Sequence, residues 1–240
     1  MHPVLDILYP HVCPLCNTYL GENRERKRGE ICGQCLAEMS KTEQAQMRQN
    51  STEMAISGMK TDIAASMKRM HLQRAAAYLY YEKDQPVQRA VHIMKYADRP
   101  EIGYLLAREA AKEFIYTDFF DEIDCIMPVP LHPNRYRSRG YNQSEYIARG
   151  LSEITGITID TTHLTRSKDT PQQALQTGEG RKENVRDAFA VNHPEQMYRK
   201  HILLVDDLVT TGETVRSCLQ AMRLFRGARF SVFALCKAKS

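Results

Sequence analysis

Residues 201–214, His-Ile-Leu-Leu-Val-Asp-Asp-Leu-Val-Thr-Thr-Gly-Glu-Thr, limit what this chain can fold into more than any other stretch. Ile202 to Val205 is a short, continuous apolar run, the pattern of a parallel strand covered on both faces. Two carboxylates, Asp206 and Asp207, follow at its carboxyl end, where ligands bind in open α/β sheets. Thr210, Thr211, Gly212, Glu213 and Thr214 come next. Gly212 permits a tight turn, and the free N–H groups that open the following helix would face an anion, with threonine hydroxyls as further donors. Val215, Cys218, Leu219 and Met222 recur at helical spacing, and Gly227 supplies a stop. Adjacent acids ahead of a phosphate cradle fit a ribose 5-phosphate: the carboxylates accept hydrogen bonds from vicinal hydroxyls while the loop holds the phosphate. An acidic turn that merely caps a helix would explain Asp206 and Asp207 in isolation. It does not explain the order of strand, acids, Thr-Thr-Gly-x-Thr and amphipathic helix.

The cysteines divide the chain. Cys13 and Cys16 are separated from Cys32 and Cys35 by fifteen residues, the spacing of a four-thiolate zinc site. Each Cys-x-x-Cys makes a tight turn that aims both sulfurs at one ion. A disulfide reading needs an oxidising compartment, and a redox pair would come once, near a βαβ unit. His11 is read as a surface residue, since four thiolates already close the shell. A segment this short has no core of its own, so the metal would supply its stability.

In 240 residues there is room for one sizeable core and a small appendage. The expected division is a zinc module at 1–40, a polar, methionine-dotted helical insert at 41–75 and an α/β domain at 76–240. No apolar run approaches the ~20 residues that span a bilayer, so a cytoplasmic address is expected. A net charge of +4 permits polyanionic partners without requiring them. Ala77 to Tyr81 reads as a strand, followed by helices from Pro86 to about Asp98 and from Glu101 to Phe114. Asp124 to Pro130 is a second strand with an abrupt proline exit. The exit leads into a loop through Gln143, in which Arg135, Arg137 and Arg139 converge near the carboxyl edge of the sheet. Guanidinium forks suit phosphate oxygens, and Asn142 and Gln143 stand beside them; a solvated basic loop is the plainer alternative. A helix stopped by Gly156 comes next. A strand from about Ile157 to Arg166, a polar lid over 168–184 with Gln173, Arg181 and Asn184, a strand at Ala188 to Val191, and a last strand at Phe230 to Leu235 complete the reading.

With these segments placed, the sequence resembles the ComF family of competence-associated phosphoribosyltransferase-like proteins, which are related to amidophosphoribosyltransferase-like chains. The resemblance is carried by both Cys-x-x-Cys pairs, by Met94-Lys-Tyr96, and by Pro128-Val-Pro-Leu-His-Pro133 with Arg139-Gly-Tyr-Asn-Gln143. It continues through Leu164-Thr-Arg166, Thr170, Gln173, Arg181, Asn184 and Ala188-Phe189, and ends in Val205-Asp-Asp-Leu-Val-Thr-Thr-Gly212. Tyr141 and Leu208 depart mildly from the usual Phe and Val. The resemblance implies a type I phosphoribosyltransferase core, a mainly parallel sheet flanked by helices. It also implies phosphoribosyl pyrophosphate (PRPP) and Mg²⁺ at the strand ends, with Lys95, Arg135 or Arg139 neutralising pyrophosphate. Family members are associated with uptake of single-stranded DNA beside a helicase-like partner. Two readings follow: an enzyme that transfers phosphoribosyl with release of pyrophosphate, or a non-catalytic adaptor for single-stranded DNA that keeps a PRPP site. Fold alone does not choose between them.

Overall fold

The computed structural model describes residues 11–21, 30–43, 70–166 and 188–239. The basic stretch within 22–29, the segment 44–69 and the expected lid with Gln173, Arg181 and Asn184 lie outside the described residues. The strands are β1 (Leu72–Tyr81), β2 (Cys125–Pro128), β3 (Leu164–Arg166), β4 (Phe189–Val191), β5 (His201–Val209) and β6 (Arg229–Ala238). The helices are α1 (Gly33–Ala37), α2 (Pro86–Tyr96), α3 (Glu101–Phe114), α4 (Pro133–Arg139), α5 (Gln143–Thr155) and α6 (Glu213–Met222). Four strands form one parallel sheet in the order β1-β6-β5-β2, and β3 pairs antiparallel with β4 as a separate ribbon. The expected mainly parallel sheet flanked by helices is therefore present.

The central strands are apolar on both faces because both faces are covered. Leu203 and Val205 of β5, with Phe233 and Leu235 of β6, pack in one core with α2, α3 and α5. Ile202 and Leu204, with Val232 and Ala234, pack in a second core with α6 and the β3–β4 ribbon. Each such large side chain stabilises by about 1.5–3 kcal/mol on burial, so the two layers fix the register of β5 to within one residue. The cysteine segment joins the first core through Cys13, Leu15, Ile31, Cys35 and Met39. Its continuation runs along the edge of β1, where Tyr80 N–H donates to Ser40 O at 2.8 Å and Thr42 N–H to Tyr78 O at 3.0 Å. No described helix is long and apolar enough to cross a membrane.

Helices α3 and α5 meet at Gly150. A Cβ there would lie 2.3 Å from Tyr104 O and 2.9 Å from Ala107 Cβ. The neighbour is backbone and cannot step aside, so Gly150→Ala is expected to cost about 2 kcal/mol despite alanine's better helix propensity. A lower urea midpoint at unchanged slope is the expected readout; an unchanged midpoint would show that the helices separate freely.

Several boundaries differ from the sequence expectation. The loop at Leu131–Gln143 contains α4: Pro133 starts it, His132 Nδ1 caps Asn134 N–H at 3.2 Å, and Gly140 ends it at φ 81°. Alternating arginines hide a helix this short and this exposed, because it has no apolar stripe. The strand expected from Ile157 shrinks to β3, with Ile159 making only an isolated bridge to Ile126. α6 ends at Met222, and Gly227 serves a later turn at φ 70° instead.

Candidate functional site

β5 runs four residues past its apolar stretch, so Asp206 and Asp207 lie within the strand and not after it. What exposes them to a ligand is the departure of β2. Pro128 pairs with Val205, Val129 N–H donates to Val205 O at 2.8 Å, and Pro130, having no N–H, ends the ladder. From there, among the described residues, one edge of β5 has no partner strand, while β6 stays paired up to Val209. The acids stand at this step, 7% and 5% exposed.

Asp206 Oδ1 accepts from Asp207 N–H at 2.9 Å and from Ser144 Oγ at 3.4 Å. Burial, and after it the neighbouring Asp207 carboxylate, pushes the Asp206 carboxyl well above the usual range. Asp207 Oδ2 is buried and pairs with Lys95 Nζ at 2.9 Å, Lys95 itself being largely buried in the last turn of α2. Lys95 is held in place from behind, because Tyr141 OH donates to Met94 O at 2.6 Å. Two acids, one partner cation and one hydroxyl thus share a small volume at the carboxyl edge of the sheet.

Beyond Lys95 a cleft of ≈ 510 Å³ is lined by Lys95, Tyr96, Asp98 and residues 137–141. Arg139 bonds Gln143 Oε1, and its guanidinium lies 5.6 Å from the ring centre of Tyr96, which is 70% exposed. Arg137, not Arg135, completes the cationic lining; Arg135 is exposed on α4. Asn142 and Gln143 are buried and already engaged: Asn142 Nδ2 donates to Val129 O, its Oδ1 caps Ser144 N–H, and Gln143 holds Arg139. The turn before α6 is led by Gly212 at φ 83°, with Thr210, Thr211 and Thr214 exposed. Glu213 is paired with Arg216 at 2.7 Å within the helix.

The four cysteine sulfurs lie within 4.8 Å of one another, with Cys13–Cys35 at 3.9 Å and Cys16–Cys32 at 3.7 Å. A tetrahedral ion with ~2.3 Å bonds to sulfur places its ligands about 3.8 Å apart. Backbone N–H groups of Cys32 and Cys35 point at sulfurs at 3.4 and 3.3 Å, the arrangement that stabilises thiolates. All four thiols are free, so the disulfide alternative is not formed. The cluster is fit to hold a metal such as zinc, and His11 is not part of it.

Sequence reasoning passed over Ser144 and gave Tyr96 no role of its own, whereas Arg137 stood among the three arginines expected at the sheet edge. Ser144 had a usable signal, since it follows the capping Asn142 at a helix start aimed at the signature strand.

Fold and site together define an α/β protein with an acid pair and a glycine turn at the carboxyl edge of a parallel sheet, joined to a four-cysteine cluster fit to hold a metal. No family model matches the sequence. DNA utilization protein YhgH of Escherichia coli (strain K12) is 32% identical over 155 residues, which span 63% of this chain and 67% of that protein. The YhgH of Salmonella typhi is 33% identical over the same shares, and Competence protein F of Haemophilus influenzae 32% over 137 residues, 56% of this chain and 58% of that one. The chain belongs to this ComF family of DNA utilization and competence proteins. Among solved structures, a glutamine PRPP amidotransferase from B. subtilis aligns over 70% of this chain and 30% of its own, at 19% identity and a TM-score of 0.35. Leishmania donovani UMP synthase aligns over 73% and 31%, at 18% identity and a TM-score of 0.34.

Proposed function

We propose that the site binds PRPP with Mg²⁺ and transfers its phosphoribosyl group to a nitrogen nucleophile with release of pyrophosphate, in the service of DNA uptake. One observation carries the reading: two buried adjacent carboxylates, one of them paired with a lysine, at the open edge of β5 and five residues ahead of a glycine turn. Asp206 and Asp207 accept hydrogen bonds from the ribose hydroxyls and face the charge that develops at C1′. Thr210, Thr211 and Thr214 with the turn at Gly212 hold the 5′-phosphate at the start of α6. Lys95, Arg139 and Arg137 meet the pyrophosphate in the adjoining cleft, and Arg135 adds long-range positive charge. A bond forms between the nitrogen and C1′ as the C1′–oxygen bond breaks; its electron pair leaves on pyrophosphate, and the nitrogen's displaced proton passes to solvent. Preorganised charge does most of this work, so no covalent enzyme intermediate is required. The acid pair fits a divalent cation, since Asp207 Oδ2 is buried and met only by Lys95 among the described residues. Bound Mg²⁺ would neutralise pyrophosphate oxygens. Gln173, Arg181 and Asn184 belong to this reading as a lid.

Membership in a family whose members are named for DNA utilization and competence supports the biological setting, with single-stranded DNA and a helicase-like protein as partners. A second reading, an adaptor that keeps the PRPP site without turning over, is favoured by the exposed Tyr96 under the Arg139 guanidinium, a stacking platform of the kind that holds single strands. Lys95→Met distinguishes the roles within the site. It is expected to weaken PRPP and pyrophosphate at least tenfold while leaving ribose 5-phosphate within about twofold, because only the pyrophosphate loses a charge-assisted partner. Equal losses for all three ligands would place Lys95 in structural support of Asp207 instead.

A further inference from the structure

At the amino edge of the sheet, opposite the acid pair, two turns meet. The chain enters β5 through Tyr198 and Arg199, and it enters β6 through Arg223, Leu224, Phe225, Arg226 and Gly227. Arg199 N–H donates to Arg226 O at 3.1 Å, and Arg229 N–H to Lys200 O at 2.9 Å, which ties the turns side by side. Met197 and Phe225 are buried and anchor them from beneath. From His201 to Asp207 the strand covers roughly 20 Å at ~3.3 Å per residue, so this corner is separate from the candidate site.

The corner carries more positive charge than its own structure uses. Lys200 is paired with Asp124 at 3.3 Å and Arg229 with Glu122 at 2.8 Å. Arg199, Arg223 and Arg226 are exposed and have no acidic partner among the described residues. The dipole of α6 accounts for Arg223, which stands at its carboxyl end. It does not account for Arg199. That residue is held at φ 57°, a left-handed backbone that glycine adopts more readily, and its guanidinium lies 5.1 Å from the ring centre of Tyr198. A long cationic side chain kept at a strained surface position points to a use for that side chain. Beside the arginines, Tyr198 is 53% and Leu224 64% exposed, which a purely solvated basic face would not require.

We propose that this corner docks a segment of a partner protein in which carboxylates flank an apolar side chain. The guanidinium groups take the carboxylates as forked pairs, and Leu224 and Tyr198 receive the apolar side chain. Arginine and tyrosine are the side chains that most often carry the binding energy at protein interfaces. A nucleic-acid strand fits less well. Its backbone offers nothing to Leu224. The Tyr198 ring is a poor stacking platform, since it already faces Arg199 and borders Gly227, where a Cβ would lie 3.9 Å from Tyr198 Cε2. The docking does not depend on what the acid pair binds.

The test follows the fluorescence anisotropy of a short labelled peptide of Asp, Glu and Leu as the full chain is added at physiological ionic strength. In one control peptide Asn and Gln replace the acids, and in another Ser replaces the leucines. The comparison proteins are Arg199→Gly, which relieves the left-handed backbone while removing a guanidinium, Arg223→Ser with Arg226→Ser, and all three changes together. The acidic leucine peptide is expected to saturate the parent, to bind Arg199→Gly and the double variant about threefold more weakly, and to bind the triple variant at least tenfold more weakly. Both control peptides are expected to bind the parent at least about tenfold more weakly. No binding, or equal binding by the parent and the triple variant, overturns the proposal. So does a serine peptide that binds as well as the leucine one, or a single-stranded oligonucleotide that binds the parent as tightly and loses as much in the triple variant. Either result would make the corner a general polyanion surface.

Discussion

Asp206→Asn with Asp207→Asn is expected to lower affinity for Mg²⁺ and PRPP by at least about a hundredfold, because asparagine keeps the shape but neither neutralises a cation nor accepts from two hydroxyls as strongly. The single change Asp206→Asn carries a second expectation of opposite sign for stability. Burial and the Asp207 charge hold the folded pKa of Asp206 above its unfolded value. Between those two values the folded protein keeps a proton that the unfolded chain has released. The stabilising contribution is therefore complete at acid pH and is lost as pH rises through the folded pKa. Asparagine does not titrate, so the variant should lack this loss and be about 2 kcal/mol more stable at mildly alkaline pH. Thermal unfolding across the acid-to-alkaline range checks it; parallel curves for the two proteins would contradict the buried, proton-holding state. Two carboxylates kept together at this cost in stability are more readily explained by a ligand than by folding.

The second large effect is expected in the cysteine module. Cys13 and Cys35 are buried in the core that holds α2 and α3. Replacing both by serine should abolish bound metal and cost on the order of 3–5 kcal/mol, since a segment this short replaces a missing core with metal bonds. Elemental analysis reads the metal, and urea unfolding reads the stability. A chelator should lower the midpoint of the parent protein and leave the variant where it is. A metal-free variant with the parent's midpoint would show that apolar packing of Leu15, Ile31 and Met39 suffices.

How much of this was legible depends on which signal each part leaves. Strands β5 and β6 were readable because burial on both faces writes a continuous apolar run, and α2, α3 and α5 because their buried stripes recur at helical spacing. The module was readable because four ligands to one ion need a fixed spacing. α4 was not, since a short exposed helix has no apolar period and its arginines look like a loop. The extent of β5 was missed because two acids imitate a strand end; only the β6 ladder, a contact remote in sequence, shows that the strand continues. The Lys95–Asp207 pair joins residues 112 positions apart, and no local pattern announces it.

The most direct test of the central claim is a calorimetric titration of PRPP with Mg²⁺ into the well-folded parent protein. A saturable, one-to-one isotherm that pyrophosphate competes away, and that disappears in the double asparagine variant, is the predicted result. No heat of binding at millimolar ligand would mean that the acid pair and the glycine turn do not serve a ribose phosphate.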